Sequence, residues 1–252
     1  MNNFGIIFGM FFKRALRDKA NIIVLLLLPM GLIALNMVGQ MGLAEMMGLG
    51  DFDADGFATV MAIVFMASFQ YFAGEIILYN IFYDLRGAAS ERLYVSPVPM
   101  RTFVMGAAAS SLMFTLMQGI LIFGVTAIFF DVMWGSPLIF FAVLLVTGIT
   151  SQLIGALIAL LSPTRKAASA IITVFCFAQM MTSGYLFVSL GNSPFANWLN
   201  SYGTPLALST TVLFRSTAGN YSNAMIAFAW LAGVMAVLGI LVAVLAKRRA
   251  RA

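Results

Sequence analysis

Six long apolar stretches, separated by short polar segments, decide what this chain can fold into. Each approaches or exceeds the ~18–20 residues with which a helix crosses the hydrocarbon core of a bilayer. We therefore predict an all-α integral membrane protein with a single transmembrane domain, residues 1–252. The six predicted transmembrane helices cover residues 21–40, 57–83, 102–130, 138–161, 167–189 and 224–246.

The composition excludes several functional classes. Charged residues make up 9% of the chain, against ~25% in an average soluble domain, so no separate soluble domain is expected. The sequence has no histidine, which excludes imidazole metal sites, Ser-His-Asp triads and histidine proton relays. The single cysteine, Cys176, cannot form an internal disulfide. Because no GxxxxGK[ST] phosphate loop occurs, we do not expect the chain to hydrolyse nucleotides itself.

Residues 1–20 are predicted to form an amphipathic helix at the membrane surface. Aromatic and aliphatic residues recur there at helical spacing and are followed by four cations. The apolar side would enter lipid while the cations face anionic head groups. A signal peptide is the competing interpretation, but the cations follow the apolar stretch and no cleavage site between small residues stands out.

The distribution of basic residues predicts the topology. With the amino terminus in the cytosol and six crossings, every lysine and arginine except Arg215 falls on the cytosolic side. This is the positive-inside pattern of a multi-pass plasma-membrane protein, with both termini cytosolic. The asymmetry explains the net charge of +5, so no nucleic-acid partner is needed.

The longest polar segment between the early spans is the stretch from Asp84 to Arg101. Its middle, AASERLYV, consists largely of helix-forming residues, and the Ser96-Pro97 pair ends the helical pattern. A short amphipathic helix held at the membrane surface by two spans is suited to contact a cytosolic partner. An ordinary solvated loop is the alternative interpretation.

Glu75 is the one charge deep within a predicted span. Ionisable groups at such depth are costly and usually functional. Helical spacing would place Tyr71 and Tyr79 on the same face as Glu75. The alternative is that this span projects past the membrane, so that Glu75 lies near the interface. The candidates for a transport pathway are Gln70, Tyr71, Glu75, Tyr79 and Gln179.

Glutamines also fall within the spans, and such residues bridge helices more often than they bind ligands. They are Gln70, Gln118, Gln152 and Gln179. One intramembrane acid without an intramembrane cation makes a poor ion pathway. An ion-coupled secondary transporter that uses Glu75 is nevertheless the alternative function.

Three sequence motifs follow one another along the chain in a specific order. They are the basic amphipathic amino-terminal helix, the SERLYVSPVP pattern followed by Gly106, and the segment PFANWLNSYGTPLALSTTVLFRSTAG before the last span. In this order, over nearly the whole chain, they resemble the membrane (permease) subunit of type-2 ABC exporters. That family's loop usually reads acid, base, acid, any, Gly, Thr, whereas Ala88 and Ala89 occupy the last two positions here.

The resemblance implies that residues 84–101 form a coupling helix that fits a groove on an ATPase. Its contact residues would be Asp84, Arg86, Glu91, Arg92, Leu93 and Tyr94. It also implies a pair of re-entrant helices between Asn197 and Arg215, whose apolar part is about half a span long. These would form an outer gate with Trp198, Pro205, Phe214 and Arg215.

The resemblance further implies the partners and the reaction. The chain itself would bind no cofactor, because ATP and Mg would be held by two copies of a partner ABC ATPase. A second permease copy or a homologue would complete the pathway within the lipid bilayer. The substrate would be amphipathic (a drug, a peptide antibiotic, a lipid or a glycan), exported across a bacterial plasma membrane.

The topology can be checked by cysteine labelling on a Cys176→Ser background. An impermeant thiol reagent added to sealed cells should label Arg215→Cys but not Arg92→Cys, because the basic side of the chain faces the cytosol. Permeabilised cells serve as the control, in which both positions should react. Labelling of position 92 in sealed cells would overturn the predicted orientation.

Overall fold

The computed structural model describes residues 3–46, 53–85, 87, 98–183 and 193–249, and every regular element within these ranges is helical. Stretches of π-helix cover Ile22–Leu27 and Ile81–Leu85. The α-helices are α1 (Asn3–Arg17), α2 (Lys19–Asn21), α3 (Leu28–Met46), α4 (Ala54–Phe72), α5 (Gly74–Asn80), α6 (Met100–Phe129), α7 (Pro137–Leu161), α8 (Arg165–Thr182), α9 (Pro194–Tyr202), α10 (Pro205–Thr217) and α11 (Tyr221–Arg249).

Five of these helical stretches are long and apolar enough to cross a membrane, and they match five of the six predicted spans. They are Lys19–Gly39, Gly56–Asp84, Met100–Phe129, Pro137–Leu161 and Tyr221–Arg248. The predicted fifth span, 167–189, corresponds to α8, which is 18 residues long and begins with Arg165 and Lys166. Those two cations lower its mean hydropathy, and residues 184–189 lie outside the described ranges.

The helices extend past the apolar stretches that predicted them. The first predicted span ended at residue 40 and was followed by a loop, but α3 continues to Met46. Asp53, predicted to lie in that loop, caps α4 because its side chain accepts a hydrogen bond from the Gly56 N–H at 2.9 Å. An apolar stretch marks the part of a helix that contacts lipid, whereas the helix itself ends where its backbone hydrogen bonds end.

Pro29, which predicted a kink in the first span, lies two residues after the π-helical stretch Ile22–Leu27. A proline has no N–H to donate to the carbonyl four residues earlier. Upstream of it, the Leu28 N–H bonds to the Ile23 carbonyl, five residues back. Such π-type bonds inside helices accompany interruptions of the regular hydrogen-bond ladder.

The second span is the central helix of the bundle. Of its most apolar window, 83% is buried inside the protein, against 6% for the corresponding part of α11. The amino-terminal part of this span, α4, packs in one buried cluster with side chains of α3, α6, α7, α10 and α11. The cluster includes Ile33, Ile63, Phe140 and Leu213. The helices packed around the second span therefore fix its position in the bundle.

The amino-terminal helix α1 packs against the protein on one side, so only part of its apolar surface remains exposed to enter lipid as expected. Ile7, Phe11 and Ala15 are buried, while Ile6 and Met10 are exposed. A Cβ placed on Gly106 of α6 would lie 2.6 Å from the Ile7 Cγ2 atom. Apolar residues spread over more of the α1 surface than one contact can cover, so part of them binds α6 and part remains exposed.

The α1–α6 contact predicts a difference between two glycines of the same helix. Gly106→Ala should lower the free energy of unfolding by about 1–3 kcal/mol, because the added methyl group overlaps the branched Ile7 side chain. Gly124→Ala is the matched control, since nothing lies within 4 Å of the Cβ that it adds. The measurement is an unfolding titration of the purified protein in micelles, and equal stabilities of the two variants would contradict the packing described.

Candidate functional site

The second span is interrupted at Ala73, between α4 and α5. The backbone carbonyls around this break are bound by side chains of α7. Ser151 Oγ donates to the Gln70 carbonyl at 2.6 Å and lies 3.3 Å from the Tyr71 carbonyl. The Ala73 carbonyl accepts from the Ile76 N–H and also lies 3.5 Å from Gln152 Nε2. An unpaired carbonyl in an apolar interior costs several kcal/mol, so α7 makes the interruption tolerable.

The backbones of α5 and α7 approach each other closely next to this break. A Cβ on Gly155 would lie 2.0 Å from the Gly74 carbonyl oxygen, and a Cβ on Gly74 would lie 2.5 Å from the Ser151 carbonyl oxygen. Neither position has room for a side chain. Small residues allow helices in a membrane to approach this closely.

Polar side chains continue from the break along α5 and α6. Gln152 Nε2 donates to Thr115 Oγ1 at 3.0 Å, and Asn80 Nδ2 donates to Ser111 Oγ at 3.4 Å. Gln152 therefore bridges helices, the role favoured for glutamines in spans. Gln179 does the same, because its Oε1 atom accepts a hydrogen bond from the Leu206 N–H at the start of α10.

The side-chain amides of Gln70 and Gln118 are fully buried and have no hydrogen-bond partner among the described residues. A Cβ on Gly119 would lie 3.2 Å from Gln70 Nε2, so the Gln70 amide lies against α6. The bridging role expected of these two glutamines is thus not seen in the part of the chain that the structure describes.

Glu75 lies in the first turn of α5 and lines a cavity of about 200 Å³. Ser169 Oγ of α8 donates a hydrogen bond to the Glu75 carboxylate. The cavity is bounded by the end of α1, the first span, α5 and the start of α8. Its polar lining residues are Arg14, Asp18, Asn21, Glu75, Tyr79, Asn80 and Arg165. Glu75 was expected either to face a polar cavity or to lie near the interface. It lines a polar cavity, and that cavity also contains Arg14 and Arg165, two of the basic residues at the ends of the predicted spans.

Arg165 lies over the Tyr79 ring, with its guanidinium carbon 4.2 Å from the ring centroid. Tyr79 stacks in turn on Tyr83, at 4.8 Å between ring centroids. Glu75 and Tyr79, one turn apart on α5, thus face Ser169 and Arg165, one turn apart on α8. Sequence reasoning missed Arg165 and Ser169 as partners, although their i, i+4 spacing at the start of a span was a usable signal.

Tyr71 does not share the face of Glu75 and Tyr79, contrary to the prediction from helical spacing. Its hydroxyl lies 3.1 Å from Ser209 Oγ, which lies 3.0 Å from Thr147 Oγ1, so it points toward α10 and α7. The break at Ala73 interrupts the regular rotation of the helix between these positions. Of the five pathway candidates, the structure brings Glu75 and Tyr79 together at the cavity and places Gln70, Tyr71 and Gln179 elsewhere.

Asp84, at the carboxyl-terminal end of the second span, pairs with Arg14 of α1. Both carboxylate oxygens accept hydrogen bonds from the guanidinium, at 2.6 and 3.3 Å. The Arg14 side chain is 40% exposed and that of Asp84 is 11% exposed, so the pair contributes roughly 1 kcal/mol or less. Among the predicted coupling residues, Arg86 and the set Glu91, Arg92, Leu93 and Tyr94 lie outside the described residues.

Two short helices precede α11, in the segment predicted to form an outer gate. Each begins with a capping residue followed by proline, which is a typical helix start. Ser193 Oγ accepts from the Ala196 N–H in α9, and Thr204 Oγ1 accepts from the Ala207 N–H in α10. The α10 residues 206–213 are all buried, so this helix is an internal element of the bundle.

The predicted gate residues lie on both short helices. Arg215 donates hydrogen bonds to the Tyr202 hydroxyl at 2.8 Å and to the Asn223 carbonyl at 3.1 Å, which connects α10 with the ends of α9 and α11. Pro205 is the first residue of α10, and Phe214 is half-buried near its end. Trp198 of α9 is 56% exposed.

The contacts at the break give a test of its stabilisation. Ser151→Ala removes the hydroxyl that binds the Gln70 carbonyl and should lower the free energy of unfolding by about 1–3 kcal/mol. Ser222→Ala, at an exposed position of α11, is the matched control and should change it by less than about 0.5 kcal/mol. Unfolding titrations in micelles measure both, and an unchanged Ser151→Ala variant would show that the hydroxyl is dispensable.

The comparison with known proteins agrees with this helical, membrane-spanning arrangement. No curated protein matches the chain. A family model described as ABC-2 type transporter matches residues 2–214, which include α1, the second span with its break, and most of α10. This match covers well over half of the sequence, and this multi-pass membrane protein therefore belongs to the ABC-2 type transporter family.

Proposed function

We propose that the chain is the permease subunit of an ATP-driven exporter that moves an amphipathic substrate across a bacterial plasma membrane. Family membership supports a transport subunit that associates with an ABC ATPase. In this proposal ATP and Mg bind only to the partner, and two permeases and two ATPase subunits form the complex. The observation that carries the coupling part of the proposal is the attachment of the cytosolic end of span two to α1 through Arg14 and Asp84.

The proposed coupling route starts at residues 84–101, which follow the second span without interruption along the chain. A displacement of this segment by the ATPase would act on α5, which the break at Ala73 separates from α4. The Arg14–Asp84 pair would pass the same displacement to α1. Both elements border the Glu75 cavity, so the route ends where a substrate would bind.

The remaining features of the proposal concern the path through the membrane. We take α8 as the fifth of six spans, with both termini in the cytosol, because this topology places Arg165 with the other cytosolic cations. The α9–α10 pair would then lie near the outer surface and close the pathway there. The tie between Arg215, Tyr202 and Asn223 supports a compact cap at this end.

An ion-coupled transporter is the second candidate, favoured by the carboxylate of Glu75 in a polar cavity. The same cavity also contains Arg165, whose positive charge opposes binding of a lone proton or sodium ion that carries no anionic group to pair with it. Transport that requires ATP hydrolysis by the partner supports the exporter. Transport that continues without the ATPase and stops when the proton gradient collapses would support the second candidate instead.

Coupling is tested by exchanging two charges in the predicted contact segment. The double variant Glu91→Arg with Arg92→Glu keeps the net charge but places each sign against the wrong partner. Like charges brought together at an interface cost several kcal/mol, whereas a solvated loop loses about 0.5 kcal/mol or less. The variant should insert normally, yet lose co-purification with the ATPase or lose substrate-stimulated ATP hydrolysis.

The matched control is Glu91→Asp with Arg92→Lys, which keeps the sign at each position. It should assemble with the ATPase and retain most of the stimulated hydrolysis. If the charge-reversed variant also assembles and transports like the parent, residues 84–101 are a plain loop and the proposed coupling route is wrong.

A further inference from the structure

The Glu75 cavity presents two opposite charges that do not neutralise each other. Glu75 and Arg165 both line it, yet within the described residues the one ion pair is that of Arg14 with Asp84. Glu75 receives a hydrogen bond from Ser169, and Arg165 lies on the Tyr79 ring. A carboxylate has about four acceptor sites and a guanidinium five donors, so both groups retain capacity for a ligand.

The other charges that face this cavity are those of Arg14 and Asp18. Arg14 is engaged by Asp84, and Asp18 accepts a hydrogen bond from the Ala20 N–H. With Arg14 neutralised by Asp84, the charges left at the cavity are the base Arg165 and the acids Asp18 and Glu75. A purely anionic ligand would meet the carboxylates and a purely cationic one the guanidiniums, whereas a ligand with both charges can satisfy Glu75 and Arg165 together.

The size of the cavity limits what can enter. At about 200 Å³ it is smaller than the ~300–1,000 Å³ of typical pockets for drug-sized ligands. A lipid head group is of this order, and a whole drug or peptide is not.

Apolar surface continues from the cavity on both sides. Phe72 lines the cavity and forms an edge-to-face contact with Phe177 of α8, at 5.5 Å between ring centroids. It also packs against the buried cluster that contains Leu25 of the first span. Val24 of the first span lines the cavity and is exposed, and further exposed apolar side chains occur on the same two helices, namely Ile23, Leu27, Ile171 and Val174. Acyl chains can lie along these residues while a head group occupies the cavity.

We propose that this cavity binds the head group of a zwitterionic amphiphile, with an ammonium group at Glu75 and a phosphate at Arg165. A phosphoethanolamine lipid has this chemistry, since its ammonium donates to carboxylates and its phosphate accepts from guanidiniums. The inference names a substrate class for the exporter, and its transport aspect rests on the proposed function. Binding itself requires neither ATP nor the ATPase.

The test is native mass spectrometry of the full-length permease in micelles, titrated with phosphatidylethanolamine or with phosphatidylglycerol of identical acyl chains. The parent should bind the ethanolamine lipid about tenfold more tightly than the glycerol lipid. Glu75→Gln should remove this preference by weakening the ethanolamine lipid alone. Arg165→Gln should weaken both lipids, because both carry the phosphate.

Matched controls remove a charge outside the cavity. Asp131→Asn and Arg101→Gln change exposed residues that do not line it, and they should bind both lipids like the parent. Because Arg165 is exposed at the start of α8, Arg165→Gln is expected to fold and gives a result even where Glu75→Gln does not. Equal affinity of the parent for the two lipids, or unchanged binding by Arg165→Gln, would overturn the site.

This outcome is separable from the exporter proposal. Selective binding that depends on Glu75 and Arg165 supports the head-group site even if the charge-reversed Glu91/Arg92 variant assembles normally. Conversely, absent selectivity refutes the site while assembly with the ATPase still stands on its own result. A soluble competitor, O-phosphoethanolamine, distinguishes the sources: displacement of the lipid at millimolar concentration would show that the head group alone suffices, and the proposal would then extend to small zwitterions.

Discussion

The hydrogen bonds that α7 donates to the broken second span are the interaction on which this arrangement depends. Backbone carbonyls released by a helix interruption find no water in an apolar interior, so another element has to supply donors. Ser151 reaches the Gln70 carbonyl because Gly74 and Gly155 let the two backbones touch. That contact fixes α5 against α7, and the position of α5 in turn places Glu75 and Tyr79 opposite α8. The polar cavity therefore depends on the hydrogen bonds with which α7 binds the carbonyls released at the break.

Much of the architecture was predictable because lipid imposes a strong and simple pattern on sequence. Apolar stretches of about 20 residues identified five spans within a few residues of their observed limits, and the order of loosely specific motifs identified the family. The break at Ala73 was not predictable in the same way. An isolated glycine in a span has many explanations, and the groups that stabilise the interruption lie on α7, almost 80 residues further along the chain.

The candidate site was likewise predictable only in part. Glu75 stood out because a charge in an apolar stretch is visible without any knowledge of packing. Its neighbours Ser169 and Arg165 belong to α8, and only tertiary contacts bring them to α5. Helical spacing also grouped Tyr71 with Glu75, which is valid for an unbroken helix and wrong here. Similarly, α1 has apolar residues on more than one side, and periodicity alone cannot tell which of them contact protein and which contact lipid.

The position of the break sets the mechanical scale of any motion in the second span. From Ala73 to Asp84 the helix rises roughly 16 Å at 1.5 Å per residue, so a tilt of about 10° at the break displaces Asp84 by roughly 3 Å. A displacement of this size directed away from α1 would roughly double the 2.6 Å distance between Arg14 and Asp84 and break their hydrogen bonds, so the pair has to open unless α1 moves with it. Because the pair is weak, the energy needed to open it is of the order of thermal fluctuations. The contact between α1 and the second span thus transmits small displacements from one helix to the other, and it breaks when the displacement is large.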